Sequence, residues 1–248
     1  MSTKSSKNKY SPEPVSSRST YIIGGLAVLV IAALVIGGVL WTNSKNKPPQ
    51  NDGYGSVQSS EVAVTVQDNG VVLLGKPSAA TTIDLFEDPL CPACAALEHL
   101  SGQALAAAVD NGDVAVRYHM LNFLNRASGS GDYSTRAGAA LLCVAQGGDA
   151  IAYSAFHNKL FATDTQPAEG GSSDHTNDDL AQIARDAGAS EDVATCISSG
   201  TNVEAAAANA AAASQALKDV GSNGTPTVVA NGKIVDTGSS DWVSKLSS

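Results

Sequence analysis

Basic side chains, cysteine and aromatic residues are all scarce in this chain of 248 residues. Its 15 Lys and Arg residues face 24 Asp and Glu residues, and the net charge of −9 excludes the basic surface that a nucleic-acid-binding protein needs. Four cysteines are too few for a small disulfide-stapled scaffold but enough for two bridges or one metal site. Because 43% of the residues are hydrophobic and only 16% are charged, wholesale disorder is excluded too.

The charge that is present divides the chain into two unlike parts. Residues 1–47 hold six basic side chains and one acidic side chain, a net charge of +5. Residues 48–248 hold nine basic and 23 acidic side chains, a net charge of −14. A small basic segment is therefore joined to a large acidic one, which is long enough to bury a real core.

A single transmembrane anchor is predicted at residues 21–41. The nineteen residues 22–40 contain no charged side chain, and a helix of about this length spans the roughly 30 Å hydrocarbon layer. Tyr21 and Trp41 flank the run where aromatic belts lie, and the positive-inside rule places the basic tail, residues 1–20, in the cytoplasm. The alternative is a cleaved signal peptide, but its apolar region would be shorter and the sequence Gly-Val-Leu-Trp is a poor cleavage site.

The rest of the chain predicts a flexible linker, 42–58, and one α/β domain, 59–248. A strand at 82–86, a helix at 92–109 and a strand at 114–121 form a βαβ unit, which makes a parallel strand pair. Further strands are predicted at 62–66, 71–74, 227–230 and 234–235, with Asn-Gly hairpin turns at 69–70 and 231–232. Further helices are predicted at 134–146, 150–162, 178–187, 191–198 and 203–220, with a short closing helix at 241–246.

The first predicted helix carries an apolar stripe, and the chemistry lies at its start. The stripe is formed by four residues: Leu97, Leu100, Ala104 and Ala108. The helix is preceded by the sequence Cys91-Pro92-Ala93-Cys94, with Pro92 in the first turn, where its missing N–H costs nothing. Cys91 then lies at the helix N-terminus, where the unpaired N–H groups and the helix dipole stabilise a thiolate.

Two cysteines separated by about one helical turn can close a small disulfide ring, so this pair can cycle between dithiol and disulfide. Zinc ribbons also use Cys-x-x-Cys, but they need a second close pair, and the remaining cysteines, Cys143 and Cys196, are isolated. A buried and inert bridge is the other alternative. The strand-to-helix junction favours redox chemistry.

A second signal lies at Gly224-Thr225-Pro226-Thr227, directly before the returning strand. Proline is tolerated at the first residue of a strand. A cis Thr225–Pro226 bond would make a tight turn close to the cysteines, but most X–Pro bonds are trans, and the sequence pattern leaves both forms open.

Together these segments resemble the two signature segments of DsbA-like proteins of the thioredoxin-fold superfamily. The first segment is Phe86-Glu-Asp-Pro-Leu-Cys-Pro-Ala-Cys94 and the second is Asn223-Gly-Thr-Pro-Thr-Val-Val-Ala-Asn-Gly-Lys233. Segments 118–119 and 155–161 also resemble membrane-anchored members, and the likeness covers about residues 61–248. The resemblance implies a thioredoxin-like fold with an inserted α-helical subdomain at about 130–212, preceded by the transmembrane helix.

The resemblance also implies the roles of individual residues. Cys91 matches the exposed nucleophile of the family, Cys94 its buried partner and Pro226 its cis-proline. Thr225 and Pro92 are expected to contact the substrate peptide. Such cis-prolines help to bind substrate and keep metal off the cysteines, so no metal site is expected, and the spacing of the four histidines suggests none.

The chain departs from the family at the residues that handle protons. Many relatives carry a buried acid six residues before the first cysteine, where this chain has Leu85. The neighbouring Asp84 should point to the opposite face of the sheet. Glu87 or Asp88 could take the role, although each could equally be a solvated charge. Ala93 cannot act as the histidine of Cys-Pro-His-Cys relatives does, which puts the oxidising strength in question.

Cys143 and Cys196 lie on two predicted helices of the insertion. Outside the cytoplasm such thiols normally oxidise, and some relatives have a similar second pair, so a structural disulfide is favoured over two free core thiols. It would close a loop of 53 residues and contribute about 4 kcal/mol in the chain-entropy model.

The expected function is oxidation of cysteine pairs in exported proteins by a domain outside the cell membrane. The family implies a quinone-linked membrane partner for reoxidation, either DsbB-like or vitamin K epoxide reductase-like, and no cofactor is needed. Two alternatives stay open: a reductase or isomerase that uses the same residues, and a non-catalytic, membrane-tethered binding domain with two structural disulfides.

Overall fold

The structure is a computed structural model that describes residues 55–239 and 241–247. Within these residues, no helix is both long enough and apolar enough to cross a membrane. The predicted tail, 1–20, the predicted anchor, 21–41, and most of the predicted linker lie outside the described residues, and their assignments stay predictions.

The core of the domain is a six-stranded mixed sheet, in which strands follow the order β1-β2-β4-β3-β5-β6. The strands are Ala63–Val66 (β1), Val72–Gly75 (β2), Thr81–Glu87 (β3), Val114–Met120 (β4), Thr227–Ala230 (β5) and Lys233–Ile234 (β6). The β3–β4 pair is parallel, as the βαβ pattern predicts, and the other pairs are antiparallel. The two halves of the sheet meet where β3 lies between β4 and β5.

Six α-helices are present in the described residues. They are Pro92–Asn111 (α1), Tyr133–Gln146 (α2), Ala150–Phe161 (α3), Asn177–Asp186 (α4), Glu191–Ser198 (α5) and Val203–Asp219 (α6). The predicted bounds of these helices and of the strands agree with the structure to within two residues. The predicted closing helix is only a 3-10 turn, Ser244–Ser247. The predicted end of the insertion, near residue 212, falls inside α6.

Both predicted Asn-Gly turns have the backbone geometry that tight hairpins require. Asn69 and Gly70 have φ values of 56° and 68°, and Asn231 and Gly232 have values of 51° and 72°. Two-residue hairpin turns need positive φ at both central residues, which Asn and Gly tolerate best. Asn231 and Gly232 form the two-residue turn between β5 and β6, whereas Asn69 and Gly70 end a 3-10 turn, Asp68–Gly70, within the longer loop 67–71 between β1 and β2.

Alternate residues of β3 point to opposite faces of the sheet. Ile83 and Leu85 are fully buried in the main core cluster, which also contains the inner side of α1. Phe86 belongs to a second, smaller cluster with Leu217 of α6. Glu87 follows Leu85 in the two-residue alternation, so it faces the α1 side of the sheet.

The inner face of α1 is shifted from the predicted stripe. Leu97 and Ala108 are buried, but Leu100 is 54% exposed. The buried residues of α1 are Cys94, Leu97, Ser101, Leu105, Ala106, Ala108 and Val109. Ser101 is buried because its hydroxyl accepts a hydrogen bond of 2.8 Å from the indole N–H of Trp242 in the C-terminal segment. This bond leaves a polar position inside an otherwise apolar stripe, which hydrophobic periodicity does not detect.

Candidate active site

The Cys-x-x-Cys segment starts α1 in the manner that its sequence predicts. Cys91 is the N-cap residue with extended backbone angles, and Pro92 occupies the first turn. The Cys91 N–H donates to the Asp88 carbonyl at 2.9 Å, and the Cys91 carbonyl accepts from the N–H groups of Cys94 and Ala95. The sulfur of Cys91 is thereby held at the helix N-terminus, where the dipole favours an anion.

Both cysteines are present as free thiols, and their environments differ. A hydrogen bond from the Cys94 thiol is the largest of the effects that lower the pKa of Cys91 to about 6. The Thr225 side chain and the backbone N–H groups of Cys94 and Ala93 lower it further, against the opposing effect of burial. Cys94 has no exposed surface, and burial, followed by its bond to Cys91 and the charge of Glu87, raises its pKa. At neutral pH Cys91 is therefore the thiolate and Cys94 keeps its proton.

The segment that precedes β5 lies opposite the cysteines. Its Thr225–Pro226 peptide bond is cis, the form that the resemblance implies. Thr227 pairs with Phe86 at the end of β3, and this register brings the turn beside the loop that leads into α1. The Thr225 carbonyl oxygen lies 3.6 Å from Cys91 Sγ and can accept a hydrogen bond from it when Cys91 is in the thiol form. Thr225 and Pro226 are both half-buried, so this edge of the site is partly open to solvent.

Pro92 is exposed on the other side of Cys91. It lines an open groove of about 530 Å³ between α1 and the segment after α3, together with Phe161 and Gln166. The Gln166 side-chain amide donates to the carbonyls of Pro89 and Cys91, at 3.1 Å in each case. This amide therefore fixes the wall of the groove against the redox loop.

Two consecutive acids precede the redox loop, and both are buried. Asp88 accepts hydrogen bonds from the N–H groups of Leu90 and Leu124 and from the hydroxyl of Ser134, at 2.6–2.9 Å. Burial outweighs these bonds and raises its pKa. Asp88 thus joins the entry of α1 to the loop after β4 and to α2. The alternative that Asp88 and Glu87 are solvated charges is wrong.

Glu87 has no exposed surface and faces the imidazole of His157 on α3. Its Oε2 lies 2.9 Å from the Nε2 of His157, while its Oε1 is buried with no hydrogen-bond partner among the described residues. Burial, followed by the charge of Cys91, raises the pKa of Glu87 well above its usual value. Burial likewise lowers the pKa of His157, partly offset by the charge of Glu98.

Glu98 of α1 completes a cluster with these two residues. One ligand atom from each of Glu87, Glu98 and His157 lies within 4.8 Å of the others, a spacing that suits either a small cation or the passage of a proton. Burial and the charge of Glu87 raise the pKa of Glu98 to about 7. Glu98 and His157 are not among the site residues that the sequence predicts. The available signal was a histidine among the aromatic and aliphatic residues of α3, a position where a buried imidazole requires a partner.

The second pair of cysteines is joined. Cys143 of α2 and Cys196 of α5 form a disulfide with an S–S distance of 2.06 Å and a Cα–Cα distance of 6.0 Å. The side-chain amide of Asn202 donates to Cys143 Sγ at 3.3 Å. This bridge links two helices between β4 and β5 and leaves Cys91 and Cys94 as the free pair.

Comparisons with known proteins agree with this geometry. The family model described as thioredoxin matches residues 67–246. The structure is similar to MdbA, a thiol-disulfide oxidoreductase from Corynebacterium diphtheriae, with 32% identity, a TM-score of 0.68, and coverage of 79% of this chain and 99% of that one. It is also similar to reduced DsbA from Mycobacterium tuberculosis, with 29% identity, a TM-score of 0.56, and coverage of 76% and 98%.

Another similar protein is named as a protein kinase. The serine/threonine-protein kinase PknE of Mycobacterium tuberculosis is 39% identical over 178 residues, which are 72% of this chain and 31% of that protein. The chain thus spans about a third of that relative's length. The chain belongs to the thioredoxin family, and its fold is DsbA-like. The described domain is accordingly classed with the thiol-disulfide oxidoreductases.

Proposed function

We propose that the domain oxidises cysteine pairs of exported proteins outside the cytoplasm, through a disulfide between Cys91 and Cys94. The observation that carries this proposal is the stabilised thiolate of Cys91, whose pKa is lowered to about 6. A dithiol form that is stabilised in this way makes the corresponding disulfide a better oxidant. The value lies between those of about 7 for thioredoxin and about 3.5 for a strongly oxidising DsbA.

The reaction has two exchange steps. A substrate thiolate attacks Sγ of Cys91, the Cys91–Cys94 bond breaks, and Cys94 leaves as a thiolate that takes up a proton. A second substrate thiolate then attacks the substrate sulfur of the mixed disulfide and releases Cys91 as the thiolate. The substrate loses two electrons and becomes a disulfide, and the protein gains them as the dithiol. Thr225 and Pro226 on one side and Pro92 on the other would hold the substrate backbone.

Two further features support a location outside the cytoplasm. The Cys143–Cys196 disulfide suits an oxidising compartment, and the basic tail before residues 21–41 has the charge bias of a cytoplasmic N-terminus. Reoxidation by a quinone-linked membrane protein, DsbB-like or vitamin K epoxide reductase-like, is part of the same proposal.

A fusion of alkaline phosphatase to the C-terminus tests the proposed topology. The fusion should be active, because that reporter folds only outside the cytoplasm. An inactive but expressed fusion would contradict the proposed topology.

The test of the activity is the refolding of a reduced, unfolded disulfide protein by the oxidised full chain. We expect acceleration by the wild type and none by Cys91→Ser. The double variant Cys143→Ser/Cys196→Ser is the matched control and should retain the acceleration. The reduction potential should fall between about −270 mV for thioredoxin and about −120 mV for DsbA. A value at the thioredoxin end would favour a reductase, and no acceleration by the wild type would favour a binding domain.

A further inference from the structure

Three side chains with metal-binding atoms meet in the interior, where α1 packs against α3. One ligand atom from each of Glu87, Glu98 and His157 lies within 4.8 Å of the other two. Glu87 ends β3, Glu98 lies early in α1 and His157 lies on α3. Because Glu87 and His157 are 70 residues apart along the chain, the fold assembles a ligand set that the spacing of the histidines does not reveal.

The distances within the cluster are close to those between the ligands of one small ion. Ligand atoms around a tetrahedral zinc ion lie about 3.3 Å from one another. Glu87 Oε2 and His157 Nε2 are 2.9 Å apart, so a shift of about 0.4 Å brings this pair to that spacing. The Glu98 carboxylate has to close a gap of at most about 1.5 Å, and its half-buried side chain has the rotatable bonds to do so.

One carboxylate oxygen of the cluster is buried without a partner. The Glu87 side chain has no exposed surface, and its Oε1 accepts no hydrogen bond from the described residues. Buried polar atoms almost always have a partner, and a bound cation is one that this oxygen can take. The unpartnered oxygen points to a ligand independently of the spacing of the three side chains.

The two acids of the cluster also lack a cationic side chain to balance them. None of the lysine and arginine ion pairs among the described residues includes Glu87 or Glu98. Two carboxylates and a neutral imidazole around a divalent cation have no net charge, which a buried site tolerates best. The Asp84–His119 pair differs in this respect, because Arg117 lies 3.4 Å from Asp84 and would repel a cation.

Glu98 and His157 also line a small cavity that can hold a fourth ligand. The cavity has a volume of about 20 Å³ and includes Tyr118 and Ser154 in its wall, which leaves room for about one water molecule. Glu98 lines the open groove between α1 and the segment after α3 as well, so an ion can reach the cluster from solvent. The rings of Tyr118 and Phe161 hold the His157 imidazole, with centroids 4.5 and 5.0 Å away.

We propose that Glu87, Glu98 and His157 bind one divalent cation of the zinc class, with a water molecule as the fourth ligand. Imidazole nitrogen and carboxylate oxygen both suit Zn²⁺, whereas Ca²⁺ and Mg²⁺ prefer sites made of oxygen alone. The ion joins the end of β3, the redox helix α1 and α3, so it strengthens the contact between the sheet and the inserted helices. The site is formed whether or not Cys91 and Cys94 exchange disulfides, so it does not depend on the proposed function.

The test measures zinc binding to the oxidised full chain, in which the four cysteines are all in disulfides and supply no thiolate ligand. The chain is freed of metal with a chelator, kept in detergent and titrated with Zn²⁺ by isothermal titration calorimetry. We expect one Zn²⁺ per chain and no competition from millimolar Ca²⁺ or Mg²⁺. The melting temperature should rise by about 5–10 °C at a free zinc concentration of about 100 times the dissociation constant. Absence of binding, or a preference for Ca²⁺ or Mg²⁺, would overturn the proposal.

Single substitutions identify the ligands. Glu98→Gln and His157→Asn should each weaken zinc binding about 10²-fold or more, because changes to groups that only touch a ligand already cost about 10–100-fold. His119→Asn is the matched control, since it removes the histidine of the other acid–histidine pair, joined at 2.8 Å, and should bind zinc as the wild type does. Cys91→Ser/Cys94→Ser should bind as the wild type too. Undiminished binding in Glu98→Gln or His157→Asn, or loss of binding in Cys91→Ser/Cys94→Ser, would show that other residues are the ligands.

A second measurement on the wild type keeps the test valid even if a variant fails to fold. Four-coordinate Co²⁺ absorbs visible light far more strongly than octahedral Co²⁺, so one equivalent of Co²⁺ should give an intense spectrum that one equivalent of Zn²⁺ removes. A weak, octahedral spectrum would overturn the proposed ligand set. Refolding activity in a chain that binds no zinc would overturn the metal site and leave the proposed function intact. Zinc binding without refolding activity would support the site and contradict the proposed function.

Discussion

Each face of the sheet carries one acid–histidine pair beside β3, and the two pairs behave in opposite ways. On the α1 face, Glu87 and His157 are joined at 2.9 Å with 0% and 4% of their side chains exposed. On the α6 face, Asp84 and His119 are joined at 2.8 Å with 27% and 11% exposed. The residue types and distances are nearly the same, so the environment decides what each pair does.

The difference lies in solvent and in a third charge. Arg117 approaches Asp84 at 3.4 Å. Burial acts to raise the pKa of Asp84, but the hydrogen bond and charge of His119, together with the charge of Arg117, lower it below its usual value. At Glu87 burial acts with no such cation and raises the pKa. The Asp84–His119 pair is thus partly exposed with its carboxylate favoured, whereas in the buried Glu87–His157 pair the neutral form of the acid is favoured.

The largest expected difference between the pairs is the cost of removing the histidine. His157→Ala would leave a cavity and a buried carboxyl without its partner, and we expect a loss of about 3 kcal/mol in the free energy of unfolding. His119→Ala removes a partly exposed hydrogen bond to Asp84 and a stacking contact with Phe86 whose ring centroids are 4.2 Å apart, and should cost about 1 kcal/mol. Urea unfolding at pH 7 measures both. Equal losses would show that the two environments do not differ as described.

A smaller effect should appear in the pH dependence of stability. The pKa of Glu98 is raised from 4.5 to about 7, so the stability it contributes is complete below pH 4.5 and is lost as the pH rises through about 7. Glu98→Gln should therefore gain about 1–2 kcal/mol relative to the wild type between pH 4.5 and pH 8, after discounting for its half-exposed position.

The Asp84–His119 pair on the other face should show the opposite pH dependence of stability. The lowered pKa of Asp84 means that its contribution is present above its unfolded value of 3.8 and is lost as the pH falls. Asp84→Asn should therefore cost less than about 1 kcal/mol at pH 5, and the cost should vanish in acid. Urea titrations from acid to pH 8 measure both variants. A deficit in Asp84→Asn that is undiminished in acid would contradict the assignment.

Local patterns in the sequence predict the sheet, the helices and the redox loop, because each depends on neighbouring residues. The β3–α1–β4 unit follows from hydrophobic periodicity and from the Cys-Pro start of α1, and the two hairpins follow from Asn-Gly. The position of Asp84 on the face opposite Leu85 follows from strand alternation. These features need no knowledge of distant contacts.

The buried cluster of Glu87, His157 and Glu98 could not be predicted in the same way. His157 is 70 residues from Glu87 along the chain, and the pair exists only because α3 packs over the end of β3. The buried side of α1 is displaced by about one residue from the predicted stripe. This displacement leaves Leu100 exposed and places Glu98 next to the cluster. A tertiary contact between polar groups leaves no periodic signal, and only a buried histidine without a local partner suggests it.

The smallest expected effect on stability comes from a variant that displaces the Glu98 side chain instead of replacing it. A methyl group at Gly102 of α1 would lie 2.7 Å from Glu98 Oε2, whereas one at Gly138 of α2 would meet only Met120 Cβ at 3.7 Å. Alanine in a helix interior stabilises by about 0.5–1 kcal/mol relative to glycine, so Gly138→Ala should gain that amount equally at pH 5 and pH 8.

Gly102→Ala should gain the same helix stability from replacing glycine by alanine, but its methyl group must push the Glu98 carboxylate towards the groove. There the carboxylate is better solvated, so the pKa of Glu98 should fall back towards its usual value. Less stability is then lost as the pH rises, and the gain in Gly102→Ala should exceed that in Gly138→Ala at pH 8 by about 0.5 kcal/mol. Paired urea titrations of the two variants measure this difference. If both variants gain equally at pH 8, the Glu98 carboxylate does not lie over Gly102, and its position between the cavity and the groove is wrong.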